Sequence, residues 1–171
     1  VGEVRSEEQL RARCVDLVCD LGILPPLDPV ALCRRLSERR GRRIRLTAAD
    51  LGSTTSVGHL VIQTRCDRIL YERTAPRPQR DHVIYHEVMH LVLGHLADGE
   101  PLTCGSSLFS DGGDRDDGPY SGWQEWEAET GATILSGMAR ARPRPDRLPM
   151  SARPAEQGIA AAFGLVPGGW R

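Results

Sequence analysis

One run constrains this chain more than any other: residues 81–96, DHVIYHEVMHLVLGHL. Val83, Ile84, Val88, Leu91 and Val92 make it apolar over most of its surface, so a helix here must be largely buried. The same run nevertheless carries His82, His86, Glu87, His90 and His95. Buried histidines and a buried glutamate need partners. At roughly 100° per residue, His86 and His90 leave a helix about 40° apart and one turn from each other. Two imidazoles so placed can bind one cation. Glu87 directly follows the first of them and can reach a water on that cation. This is the chemistry of the H-E-x-x-H pattern, whose glutamate acts as the general base of a metallohydrolase. The sequence therefore predicts a helix with His86 and His90 as metal ligands and Glu87 as the catalytic residue.

A tetrahedral site that keeps one open position needs a third protein donor. His95 lies nine positions after His86, which places it about 180° away on a continuous helix. It is predicted to be a helix-end residue favoured by the dipole. His82 is read as solvated near the helix N-terminus, and His59 as an ordinary strand residue. The stronger source is a second helix over residues 123–138, WQEWEAETGATILSGM. Its acids suit the positive end of the helix dipole. Glu125 and Glu129 are four apart and share a face. Glu125 is the expected third ligand, and Glu129 is expected to accept the other ring N–H of a ligand histidine. Trp123 and Trp126 are expected to pack. Two histidines and a glutamate suit zinc, with manganese as the alternative.

The remaining elements follow from periodicity and punctuation. Apolar positions Leu10, Cys14, Leu17, Val18 and Leu21 predict a helix ended by Gly22. Asp28 caps a second helix running from Pro29 to about Arg40, with Gly41 after it. Ile44 and Leu46 alternate with arginines in a short strand. Residues 59–63 and 69–72 read as a hairpin turning at 65–67. Residues 98–122 read as a long irregular loop, 140–154 as a Pro-rich linker and 155–163 as a last helix. The expectation is an α+β chain of 171 residues. Residues 1–140 form the metal-bearing domain, and residues 141–171 belong to the same domain.

Composition excludes several functions. All 22 cations are arginine, and lysine-dependent mechanisms such as a Schiff base are out. Net charge is −1, so no global field steers a polyanion, and direct nucleic-acid binding is not expected. The arginine-rich stretch 33–46 is read as a solvated helix face and strand end. No apolar run approaches the roughly 18 residues of a membrane span. The five cysteines are an odd number without a CxxC pair, and the N-terminal residues are polar. Both suggest a reduced, cytoplasmic setting.

Over about residues 10–135 the chain resembles the ImmA/IrrE family of metallopeptidases. The likeness is carried by HEVMHLVLGH and by EWEAETGATILS, which is similar to the family's E-x-x-A-(N/D)-x-x-A helix. Glu129 stands where the family has Asn or Asp, and Gly131 where it has a bulky residue. The resemblance implies a zincin-like fold, with the H-E-x-x-H helix packed on a small sheet and further helices. It also implies His86, His90 and Glu125 as zinc ligands and Glu87 as the base. The implied substrate is a protein such as a helix-turn-helix transcriptional regulator. The alternative expectation is a non-proteolytic zinc module, regulatory or toxin-like, that binds such a regulator.

Overall fold

A Ser6 capping box opens the first ordered helix of the computed structural model, which describes residues 4–24, 26–52, 58–95 and 120–141. Ser6 accepts from Gln9 N, and the Gln9 side chain accepts from Ser6 N, so two otherwise unpaired donors are satisfied together. Helix α1, Glu7–Asp20, buries Leu10, Cys14, Leu17 and Val18 along one stripe. Helix α2, Pro29–Arg40, starts at the Asp28 cap, whose side chain accepts from Ala31 N. It stops at Gly41, which adopts the left-handed backbone. Cys104 and the expected last helix lie outside the described residues, as do the expected linker except for 140–141, where Arg140 ends a helix, and the expected loop except for 120–122.

The sheet has three strands in the order β1-β3-β2. Strand β1, Arg43–Ala49, runs parallel to β3, Cys66–Glu72, and β2, Gly58–Ile62, runs antiparallel to β3. The β2–β3 hairpin was expected, but its turn is displaced. Cys66 and Asp67 belong to β3 rather than to the turn. The reason lies in Asp67, which is fully buried between Arg40 Nη1 at 2.8 Å and Arg42 Nε at 2.7 Å. A buried carboxylate so paired fixes the strand that carries it. Arg42 also donates to the Gln63 and Thr64 carbonyls that close the turn. Two arginines of the 33–46 stretch thus hold the sheet rather than cover a solvated face.

Helix α3, Arg77–Leu93, begins four residues earlier than expected. Pro78 sits in its first turn, where a missing N–H breaks no helical bond. Gly94, at φ 73°, ends the helix before the expected residue 96. Helix α4, Gly122–Arg140, packs along α3, while β2 and β3 cover another side of α3. Two glycines permit this close approach. A Cβ on Gly58 would overlap Val83 Cγ1, and one on Gly131 would lie 2.5 Å from Met89 Cε. The small residue at 131 is therefore what lets α4 close on Met89. The described residues form a mixed α+β structure of four helices and one sheet, and none of these helices is long and apolar enough to cross a membrane.

Candidate metal centre

His86, Glu87 and His90 lie on the stretch of α3 that is covered on both sides, and they are 2%, 0% and 0% exposed. Glu125 comes from the first turn of α4. Its carboxylate closes a triangle with the two imidazoles. His86 Nε2 is 3.0 Å from His90 Nε2 and 3.3 Å from Glu125 Oε2, and His90 Nε2 is 3.8 Å from Glu125 Oε1. Ligands about 2.0–2.1 Å from a tetrahedral zinc lie about 3.3–3.4 Å apart, so the triangle has the size of a three-ligand face. These three residues form a group that could hold a metal ion.

Glu87 supplies an independent observation that fits a cation at this triangle. Neither of its carboxylate oxygens has a hydrogen-bond partner among the described residues. Burial pushes its pKa up to about 8, against a smaller lowering by His86, while the nearby Glu125 charge pushes it further up. A carboxyl left like this is costly unless a positive charge is nearby. The ligand triangle is where such a charge would sit.

The two histidines are perturbed in opposite directions. Burial opposes a charge on His86, but hydrogen bonds to Glu125 and Glu129 outweigh it and raise its pKa. Burial lowers His90, and the neighbouring His86 and His95 lower it further. A histidine ligand must be neutral, so metal binding at such a site competes with any proton on its imidazoles.

Behind His86, Nδ1 faces Glu129 Oε2 at 3.4 Å. His82 Nε2 lies 3.0 Å from Glu129 Oε1, and His82 Nδ1 is 3.2 Å from Ser136 Oγ. Hydrogen bonds to His82 and His86 hold the Glu129 pKa down to about 2. Glu129 thus takes up the expected position behind a candidate ligand histidine, despite its extra methylene. His82 does not: it is half-buried and bonded to α4 rather than solvated.

Behind His90, the sequence reading missed the residues that matter. His95 is 3% exposed, and its Nδ1 lies 3.2 Å from His90 Nδ1. A separation of 180° from His86 holds only on a continuous helix. Gly94 breaks it, and the left-handed turn brings His95 N onto the His90 carbonyl at 3.1 Å. A glycine directly before the histidine was the available signal. His95 Nε2 then meets Glu127 Oε2 at 2.9 Å, and burial lowers the His95 pKa against that partner's pull. Glu127 is fully buried and accepts from Arg5 N at 2.6 Å and Arg5 Nη1 at 2.7 Å. Tyr120 stacks on the His90 ring with centroids 3.8 Å apart, and Trp123 meets His95 edge-on at 5.5 Å.

The chain matches no protein-family model, no curated protein and no solved structure.

Proposed function

We propose that this protein is a zinc metallopeptidase of the zincin kind. The observation that carries the reading is the His86–His90–Glu125 triangle beside a fully buried Glu87 carboxylate with no hydrogen-bond partner among the described residues. Two imidazoles and one carboxylate favour zinc over harder cations. Held by these three residues, zinc would supply Lewis acidity, acidifying a water and polarising a peptide carbonyl.

The chain's own residues would do the rest. Glu87 takes a proton from the attacking water onto its carboxylate and passes it to the departing amine nitrogen as the C–N bond breaks. Its place beside the triangle favours that exchange, because a cation held there would stabilise the carboxylate form that accepts the proton. Strand β2 is the outer strand next to β3, and its Gly58 end runs beside Glu87, with Oε1 3.2 Å from the position of a Gly58 Cβ. An extended peptide added along β2 would pass the carboxylate, with backbone hydrogen bonds as its main hold. The substrate class is therefore an extended protein segment. A helix-turn-helix transcriptional regulator, implied by the family resemblance, is the first candidate to offer.

The test is Glu87→Gln. Purified in parallel, wild type and variant should each bind one equivalent of zinc. Cleavage of a susceptible protein should fall about 10²–10⁴-fold in the variant. Undiminished cleavage would remove Glu87 from the mechanism. Stoichiometric zinc with no cleavage by the wild type would favour the non-proteolytic module.

A further inference from the structure

His90 is held from behind by a buried chain of hydrogen bonds that the H-E-x-x-H pattern does not contain. The chain can be read from its fixed end. The Glu127 carboxylate only accepts, so His95 Nε2, at 2.9 Å, must carry a hydrogen. One further hydrogen lies between His95 Nδ1 and His90 Nδ1, 3.2 Å apart. If His95 owned it, that ring would be a buried cation, and the neutral His90 would carry its hydrogen on Nε2. That nitrogen is the one 3.0 Å from His86 Nε2 and 3.8 Å from Glu125. A hydrogen there would block a metal. If His90 owns the hydrogen, both rings are neutral and His90 Nε2 presents a lone pair to the triangle.

We propose that His95 and Glu127, fastened by Arg5, are positioning residues that hold His90 in the tautomer able to bind a metal. The proposal rests on the metal-centre reading above and deepens it. Its strength comes from closure. His95 and Glu127 are 3% and 0% exposed, so water has little access to replace a lost partner. Arg5 donates to both Glu127 oxygens, fixing the carboxylate plane before His95 meets it. Residues that orient a ligand histidine are commonly worth 10–100-fold in metal affinity.

Two measurements test it. In the ¹⁵N-labelled protein, with and without zinc, a hydrogen on His90 Nδ1 should show scalar coupling through the hydrogen bond to His95 Nδ1. By competition with a chromogenic chelator, His95→Phe should bind zinc about 10–100-fold more weakly than wild type. His95→Gln, which keeps one donor and one acceptor, should recover part of the loss, an effect that mere space-filling would not give. A folded His95→Phe with wild-type affinity would overturn the proposal, as would a hydrogen resident on His95 Nδ1. If His95→Phe does not fold, the coupling in wild type decides. Zinc binding without the coupling would sink this proposal alone. The coupling without any zinc binding would sink the metal reading and leave only a structural hydrogen bond.

Discussion

The two candidate ligand histidines sit one turn apart on α3 but lean on opposite kinds of support. His86 leans on Glu129, whose side chain is 43% exposed, and through it on His82 and Ser136. His90 leans on His95 and Glu127, which are almost wholly enclosed, with Arg5 behind them. Solvent can replace a missing partner in the first set and has little access to the second. Similar hydrogen bonds therefore carry different consequences, because leaving a buried polar group unpaired costs more than making the bond gains.

The comparison can be broken where the two supports converge. Glu125 faces both rings, so Glu125→Ala should abolish stoichiometric zinc, a loss well beyond the ~10–100-fold of an orienting residue. Zinc retained at one equivalent would mean the supports do not serve a shared ligand. The next effect concerns Glu87, which belongs to neither support. Its folded pKa of about 8 lies above the ordinary 4.5, so its contribution to stability is full below about pH 4.5 and is lost as pH climbs to 8. Chelator-treated Glu87→Gln should therefore match wild type near pH 4.5 and exceed it by about 3–4 kcal/mol at pH 8 in urea melts. A gap independent of pH would contradict the burial of an uncompensated acid.

Smaller effects sharpen the comparison. Glu129→Ala should weaken zinc by about tenfold or less, against the larger loss for His95→Phe, because removing the partly exposed Glu129 side chain would open His86 Nδ1 to water. Equal losses in chelator competition would erase the distinction between open and closed support. Arg5→Ala should be mildest, since Glu127 keeps the Arg5 backbone N–H and His95. A cost of about 1 kcal/mol in thermal or urea melts is expected, with zinc affinity changed only a few-fold. Collapse of zinc binding in that variant would make Arg5 a full member of the support.

Local signals explain what was legible in the sequence. Asp28 and Gly41 bound α2 as their chemistry predicts, and the four-residue spacing of Glu125 and Glu129 put both carboxylates on the His86 side of α4. Helix α3 starts four residues before the run that announces it, because Pro78 stands in its first turn, where a proline is compatible with a helix. Asp67 looked like a turn residue because its two arginine partners lie 25 and 27 positions away. Glu127 was grouped with its neighbours as an acid at a helix start. Its partner Arg5 is 122 residues distant, and no periodicity reports such a pairing. His95 was lost to a single backbone angle at Gly94, which turned an expected opposite face into a contact.

The Arg5–Glu127 bond also has a meaning in time. Synthesis proceeds from the N-terminus, so Arg5 emerges early and waits for α4. Closing so long a loop adds little entropy cost over a shorter one, and delay rather than energy is the main consequence. Until α4 is made, the chain has H-E-x-x-H and His95 but neither Glu125 nor the Glu127 carboxylate that holds His95. A stalled or truncated product ending before residue 122 would hold His86, His90 and His95 without either acid. The candidate centre is thus completed late, by the same helix that packs along α3.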